Sequence, residues 1–173
     1  LLLWKSRFCV GGHLSDPTTY LPFDKTSPTA SMDAVYLLLC IAQHYKMNLE
    51  VCDVPSAYLN TPLPYGKKHI MRIKPLLAKY FVRADNSAKE FLQGDGSLIV
   101  QLEKALYGLP ESGKLWHELL MDCLKTAGYT HKPNDTTVWK RVIRKDGKVR
   151  SLSVVLVFVD DFLHAWKTMA GGS

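Results

Sequence analysis

The sequence lacks the features that would assign it to several other classes of protein. Its apolar runs all fall short of the roughly 20 residues that span a bilayer. The opening "LLLW" is too short to be the apolar region of a secretory signal. Its six histidines show neither the H-x-x-x-H nor the mixed Cys/His spacing of a zinc site. We therefore expect no membrane span, no secretory signal and no zinc site.

The chain also has no C-x-x-C pair among its four cysteines, Cys9, Cys40, Cys52 and Cys123. Cys40 and Cys123 fall within apolar helical patterns, so they are predicted to be buried free thiols. Free thiols favour an intracellular, reducing compartment. The first residue is Leu1 rather than Met, which is the expected appearance of a piece of a longer chain.

What is present is ordinary for a soluble globular protein. The 173 residues are enough for one domain with a sizeable core, and 47% are hydrophobic and 22% charged. The net charge of +6 and the pI of 9.1 fit a polyanion partner. Lysines kept for solubility would give the same balance, so charge alone leaves both alternatives open.

Periodicity predicts two helices and several strands. The first helix runs from Ser31, a good N-cap, to Met47. The second follows "YGLPES" and ends near Gly128. Residues 61–97 show little periodicity and are predicted to form loops and short strands. The predicted strands are "KSRFCV", "NLEVCDV", "SLIVQL", "TTVWKRVIR", "SLSVVLVFV" and "FLHAW", with a hairpin turn at "KDGK" and a second tight turn at Asp160-Asp161.

Two adjacent carboxylates interrupt the apolar stretch "SVVLVFVDDFLHAW". An exposed turn would explain Asp160 and Asp161, but the residues on both sides are very apolar. Asp53 stands late in another short apolar strand, and one sheet can bring all three together. Clustered carboxylates repel each other unless a cation compensates. Two Mg²⁺ ions would do so, and such a pair supports phosphoryl transfer.

Six segments of the chain carry recognisable motifs. In chain order they are "KSRFCVGG", "TSPTASMDAVYLLLCIAQ", "VCDVPSAYLN", "KALYGLPESGKLW", "GYTHKPNDTTVW" and "LVFVDDFL". Their order and spacing resemble those of reverse transcriptases of copia-type LTR retrotransposons. The resemblance covers most of the chain except roughly residues 62–97, and it indicates ancestry more firmly than present activity.

The resemblance implies roles for the residues of the two acidic motifs. Asp53, Asp160 and Asp161 would be the catalytic carboxylates and would hold two Mg²⁺, with the backbone carbonyl of Val54 as a further ligand. Tyr58 would be the steric gate, whose ring excludes a sugar 2′-hydroxyl. An ordinary packed aromatic is the alternative for Tyr58.

Further residues are implicated by the same resemblance. Lys5 and Arg7 would lie near the incoming triphosphate, although solvated terminal cations are the alternative. Glu111 would lie near the nucleotide and stands where many relatives carry Gln, and Tyr36 stands where Arg is usual. The basic residues predicted to contact nucleic acid are Lys67, Lys68, Arg72 and Lys74.

The expected fold is α+β. It would be one reverse-transcriptase-like domain over residues 1–173, with a palm whose antiparallel sheet is backed by helices, and partial fingers. Residues 1–30 and 62–110 would be fingers-like, and residues 31–61 and 111–173 palm-like. We expect no thumb and no RNase H sequence.

The expected function is that of an RNA-directed DNA polymerase fragment of a retrotransposon polyprotein. It would bind an RNA or DNA template-primer, transfer nucleotides from dNTP to a primer 3′-hydroxyl, and reside in the cytoplasm or nucleus. The alternative is a truncated or domesticated remnant that serves as a structural or binding subunit of a larger protein assembly. Truncation and the residues at positions 36 and 111 favour that alternative, whereas the three aspartates and Tyr58 favour the enzyme.

Overall fold

A computed structural model describes residues 7–12, 27–65 and 69–169 of the chain. The fold is mixed α and β with antiparallel sheets, as predicted. The helices are α1 (Met32–Tyr45), α2 (Pro75–Ala84) and α3 (Ser112–Thr126), with short 3₁₀ helices at Ala57–Asn60 and Asn86–Phe91. The strands are β1 (Asn48–Asp53), β2 (His69–Ile73), β3 (Leu98–Leu102), β4 (Thr130–Lys132), β5 (Asp135–Lys145), β6 (Lys148–Phe158) and β7 (Asp161–Thr168).

The larger sheet has five strands in the order β1-β7-β6-β5-β4, and every neighbouring pair is antiparallel. β5 and β6 are joined at "KDGK" as predicted. Asp146 and Gly147 both have positive φ there (52° and 71°), as a two-residue hairpin turn requires. β1 lies at one edge of this sheet, and all six of its residues are exposed.

Residues 154–158 of the central strand β6 are apolar on both faces because a helix covers each of them. Leu156 belongs to a core with Leu38 and Ala42 of α1. Val155 and Val157 point the other way, into the core formed with α3. Alternate residues of a strand face opposite sides of the sheet, so a stretch covered on both sides needs apolar residues on both faces. The continuous run in "SVVLVF" therefore reflects a helix–sheet–helix arrangement.

Both predicted helices of this region are present. The Ser31 hydroxyl accepts a hydrogen bond from the Ala34 amide at 3.2 Å and caps α1. Gly128 follows α3 with a φ of 82°, the left-handed conformation common just after a helix. α3 buries Trp116 and Leu120 against the sheet, where they meet the fully buried Trp139 of β5.

The second sheet pairs β2 with β3, and these two strands pack with the intervening helix α2 around Ile73, Ala78 and Leu98. The prediction of loops and short strands for residues 61–97 was wrong at α2. Pro75 begins this helix at a position where its missing N–H costs nothing. Ala78 and Val82, four residues apart, pack into this core, so the sequence carries a helical period that the prediction overlooked.

Two further predictions are corrected. Within "KSRFCV", residues 7–10 do not form a strand; Cys9 makes an isolated bridge to Tyr107. All four cysteines are exposed, so the predicted burial of Cys40 and Cys123 was wrong. Cys40 lies two residues from both Leu38 and Ala42, which places it on the opposite side of α1. Within the described ranges, no helix is long and apolar enough to cross a membrane.

Candidate active site

The strand pairing brings the two acidic motifs together. Asp53, the last residue of β1, pairs with Asp161, the first residue of β7. The turn between β6 and β7 consists of Val159 and Asp160, one residue earlier than predicted. The Val54 amide donates a hydrogen bond to the Asp160 carbonyl at 2.9 Å. Residues about a hundred positions apart in the chain therefore meet at one end of the sheet.

The turn that carries Asp160 holds an unusual backbone conformation. Val159 has a φ of 57°, a region that a β-branched residue rarely adopts and that costs on the order of 1–3 kcal/mol. The indole N–H of Trp116 donates a hydrogen bond to the Val159 carbonyl at 2.6 Å. Trp116 is itself buried in the α3 core. The turn is thus anchored to the interior of the domain.

A chain of polar contacts holds the exposed edge strand β1 in register. His164 of β7 contacts the Glu50 carboxylate through Nδ1 at 2.6 Å and the Ser153 hydroxyl through Nε2 at 2.7 Å. The Tyr129 hydroxyl contacts Ser153 at 2.7 Å. A one-residue slip of a strand would send its side chains to the opposite faces. These contacts therefore help to keep Asp53 opposite Asp161.

Asp53 and Asp160 line one cavity of about 300 Å³. Val54, Arg7 and Tyr107 are also in its wall. Asp161 lies outside this cavity and is exposed at the start of β7. The carboxylates at positions 53 and 160 thus share a space that also receives a cation from the N-terminal segment.

Across residues 7–12, 27–65 and 69–169, no group of three or more His, Cys, Asp or Glu side chains is placed to hold a metal ion. The expected cluster of three carboxylates is therefore absent, and the metal-binding roles of these residues stay predictions. Mg²⁺ usually takes one or two protein carboxylates and completes its shell with substrate phosphates and water. Asp53 and Asp160, with Val54 beside them, fit that smaller set of donors.

A second cavity of about 190 Å³ adjoins the first. Tyr58, Ala57, Arg7, Tyr107 and Asp160 form its wall. Burial raises the pKa of the Tyr58 phenol, and the nearby Asp160 and Tyr107 raise it further, while Arg7 opposes them. The phenol is therefore neutral at physiological pH. Its ring presents a rigid, uncharged surface to the space beside Asp160.

The comparison with known families identifies the chain's ancestry. The model of the family described as "Reverse transcriptase (RNA-dependent DNA polymerase)" matches residues 2–170. The chain belongs to the reverse transcriptase family. The resemblance inferred from the six motifs is confirmed at this level. The end of the sheet that carries Asp53 and Asp160 is accordingly the candidate active site of a reverse transcriptase domain.

Two curated relatives of this reverse transcriptase domain are polyproteins of plant transposons. The chain is 24% identical over 168 residues to the retrovirus-related Pol polyprotein from transposon TNT 1-94 of Nicotiana tabacum. It is 26% identical over 161 residues to that from transposon RE1 of Arabidopsis thaliana. These alignments cover 96% and 92% of the chain, but 11% and 10% of the relatives. No solved structure matches the chain.

Some predicted site residues of the reverse transcriptase domain lie away from the two cavities. Glu111 is 6% exposed and contacts His69 Nε2 at 2.7 Å, which ties the start of α3 to β2. Arg72 of β2 forms an ion pair with Asp95 and donates to the Ser97 hydroxyl, both of which lie just before β3. Lys74 is the exposed N-cap of α2. The predicted nucleotide or nucleic-acid contacts of these three residues stay predictions, and Lys5, Lys67 and Lys68 lie outside the described residues.

Sequence reasoning missed two residues of this site. Trp116 was assigned to a helix face, but no pattern indicated that its N–H reaches the Asp160 turn. Tyr107 was quoted within "KALYGLPESGKLW" and given no role, yet it lines both cavities. A contact between side chains distant in the chain leaves no periodic trace, so neither could be found from spacing.

Proposed function

We propose that this chain is the catalytic part of an RNA-directed DNA polymerase. The five-stranded sheet with α1 and α3 would be its palm, and the N-terminal segment and the β2–α2–β3 unit part of its fingers. The observation that carries the proposal is the cavity shared by Asp53 and Asp160, with Arg7 in the same wall. Membership of the reverse transcriptase family supports the choice of reaction.

Asp53 and Asp160, with the Val54 carbonyl, would hold Mg²⁺. When bound, the metal would activate the primer 3′-hydroxyl and stabilise the leaving pyrophosphate. The chain's own residues orient the reactants. Arg7 neutralises phosphate charge at the mouth of the cavity, and Tyr58 occupies the space that a 2′-hydroxyl would need. Asp161 lies beside Asp53 on the neighbouring strand and adds negative charge that favours cation binding.

Template and primer would be held mainly by electrostatics. The β5–β6 hairpin exposes Lys140, Arg144, Lys145 and Lys148. Cations that contact phosphates release counterions, so affinity falls steeply with salt. We expect the double variant Lys145→Gln/Lys148→Gln to flatten the plot of log affinity against log salt by roughly 1 for each lost contact. An RNA affinity that is independent of salt would contradict this part of the proposal.

Primer extension on an RNA template with Mg²⁺ tests the proposed activity. The wild-type chain should extend the primer, and Asp160→Asn and Asp53→Asn should lower the rate at least about a hundredfold, because a metal-binding charge is lost. Asp122→Asn, at an exposed aspartate of α3 that lines neither cavity, is the matched control and should leave the rate unchanged. Equal rates for all four proteins, or no templated product from the wild type, would favour the structural-subunit alternative.

A further inference from the structure

We propose that Tyr107 is a positioning residue that fixes the ring of Tyr58 and thereby sets the choice between dNTP and rNTP. This inference rests on the proposed polymerase function. It adds to that function a residue to which neither the six motifs nor the family assignment gave a role.

Tyr107 lies between the two side chains that the site needs to hold still. The Arg7 guanidinium carbon lies 4.5 Å from the centre of the Tyr107 ring. The rings of Tyr107 and Tyr58 have centroids 5.1 Å apart and planes tilted by 54°. A cation over one face of a ring and a second ring in tilted contact are both favourable geometries. The three side chains form one contiguous cluster beside Asp160.

The backbone fixes Tyr107 more firmly than its half-exposed ring would suggest. The Val10 amide donates to the Tyr107 carbonyl at 2.8 Å, and Cys9 forms a bridge with Tyr107. The next residue, Gly108, has a φ of 89°, and a Cβ there would lie 2.2 Å from the Val10 carbonyl oxygen. The segment that carries Arg7 can therefore approach Tyr107 this closely because position 108 has no side chain.

This cluster of Arg7, Tyr107 and Tyr58 gives a physical reason why the site would select between a deoxyribose and a ribose. Tyr58 is the second residue of the 3₁₀ helix Ala57–Asn60 and is half-buried. A ring that excludes one hydroxyl must not rotate away when that hydroxyl arrives. In the structure, the Tyr107 ring blocks one side of Tyr58, and the two rings line the same 190 Å³ cavity. Replacing Tyr107 with a smaller side chain would free Tyr58 to yield to a 2′-hydroxyl.

The test measures kcat and KM for a dNTP and the matching rNTP in primer extension with Mg²⁺. Tyr107→Leu should lower the dNTP-to-rNTP ratio of kcat/KM by roughly tenfold, mainly through a lower KM for the rNTP, as loss of one steric contact predicts. Tyr107→Phe keeps the ring and should keep the ratio. Tyr65→Leu, at a fully exposed tyrosine, is the control. The double variant Tyr58→Val/Tyr107→Leu should have a dNTP-to-rNTP ratio no lower than that of Tyr58→Val alone, because both substitutions act through the Tyr58 ring.

Two outcomes separate this inference from the proposed function. If the wild type discriminates between sugars and Tyr107→Leu slows dNTP and rNTP equally, the polymerase function stands and the positioning role is wrong. If the wild type makes no templated product, the proposed function is wrong, and the positioning role of Tyr107 is wrong as well. If Tyr107→Leu does not fold, Tyr107→Met takes its place, because methionine is a long, flexible apolar side chain without a flat ring. This variant must then show the same lowered dNTP-to-rNTP ratio. In ¹³C-tyrosine NMR spectra, the Tyr58 ring signals must also shift in Tyr107→Met and stay in place in Tyr65→Leu.

Discussion

The five-stranded sheet region and the β2–α2–β3 unit differ in how their apolar residues are covered. In the sheet region, helices pack on both faces of β6, and Trp139, Leu156 and Val157 are almost completely buried. The β2–α2–β3 unit has a core of three buried residues. It leaves a set of large apolar side chains exposed, namely Ile70, Leu76, Leu77, Tyr80, Phe81 and Ile99.

This difference shows that the two regions depend on their surroundings to different degrees. The sheet region also exposes large apolar side chains, such as Tyr36, Leu37 and Val51, but its two cores bury six residues each. Most of its stability therefore comes from contacts within it. The β2–α2–β3 unit is joined to it by the buried contact between His69 and Glu111, and to the N-terminal segment by the ring contact between Phe8 and Phe81. Regions with few buried apolar contacts open at lower free energy than the core. We expect the chain to unfold locally at the β2–α2–β3 unit before it unfolds globally.

The largest effect should come from a matched pair of core substitutions. Leu156 of β6 and Leu98 of β3 are both 1% exposed. Leu156→Ala should lower the global free energy of unfolding by about 2–5 kcal/mol, through lost burial and the cavity left behind. Leu98→Ala removes the same atoms, but its effect should appear in local opening of residues 69–102. Urea unfolding gives the first quantity, and amide hydrogen exchange gives the second.

The proposed difference in stability between the two regions is contradicted if the two variants behave alike. Equal losses of global stability from Leu156→Ala and Leu98→Ala would mean that the β2–α2–β3 unit and the sheet region unfold together. Faster exchange confined to residues 69–102 in Leu98→Ala, with a smaller change in the urea midpoint, would support the distinction.

Three glycine substitutions test whether the N-terminal segment is held close to Gly108. Gly108→Ala combines a strained φ with a Cβ 2.2 Å from a carbonyl oxygen, so we expect a loss on the order of 3 kcal/mol. Gly147→Ala, at a φ of 71° in open space, has the strain alone and should cost about 1 kcal/mol. Gly94→Ala meets nothing within 4 Å and should be nearly neutral. Urea unfolding of the three variants checks this order, and a tolerated Gly108→Ala would refute the close approach.

A smaller effect is expected at the anchor of the Asp160 turn. Trp116→Phe removes the N–H that donates to the Val159 carbonyl but keeps an aromatic ring in the core. The free energy of unfolding should fall by about 1 kcal/mol, and primer extension should slow more than stability explains. Trp166→Phe, at a 37% exposed tryptophan of β7, is the control. Unchanged primer extension in Trp116→Phe would show that the turn holds its geometry without this bond.

The smallest predicted effects concern pH. Burial lowers the pKa of His117, on α3, below its ordinary 6.5. The unfolded chain then binds a proton more readily, so stability falls as the pH drops through 6.5 toward the lower folded pKa. His117→Gln should remove this loss. Hydrogen bonds from Ser97 lower the pKa of Asp95, just before β3, to about 2. Its contribution to the stability of the β2–α2–β3 unit is therefore present above pH 3.8 and is lost as the pH falls toward 2.

Urea midpoints measured over this range check both assignments. A pH profile of His117→Gln identical to that of the wild type would contradict the first. For the second, Asp95→Asn should remove the acid-dependent opening of residues 69–102, measured by hydrogen exchange between pH 4 and about 2. Opening of the same size in Asp95→Asn would contradict it.

The sequence predicted the sheet region well because its signals are local. Ser31 and Gly128 mark helix ends, "KDGK" marks a turn, and residues 154–158 of β6 are all apolar because helices cover both faces of the sheet there. α2 was missed although Ala78 and Val82 recur at helical spacing, because a ten-residue helix that begins at a proline was taken for a loop. Cys40 was misplaced because an apolar helical stretch does not by itself show which side meets the sheet.

The candidate site was predictable in part. The apolar setting of Asp160 and its match to Asp53 indicated that the two motifs meet, and they share a cavity. Whether a third carboxylate joins them depends on the position of the turn, which lies one residue earlier than expected and leaves Asp161 outside. Tyr107 and the buried contact of Glu111 arise from tertiary packing, which spacing along the chain does not encode.

Calorimetric titration of Mg²⁺ into the chain, in the presence of dNTP, tests most directly whether Asp53 and Asp160 share one cation site. Asp160→Asn and Asp53→Asn should each weaken Mg²⁺ binding by about tenfold or more, because each removes a carboxylate ligand. The double variant should bind Mg²⁺ only slightly more weakly than either single variant, because both substitutions affect the same site. Asp146→Asn should bind Mg²⁺ like the wild type. Mg²⁺ binding that is equally strong in the wild type and in Asp160→Asn would contradict the shared site.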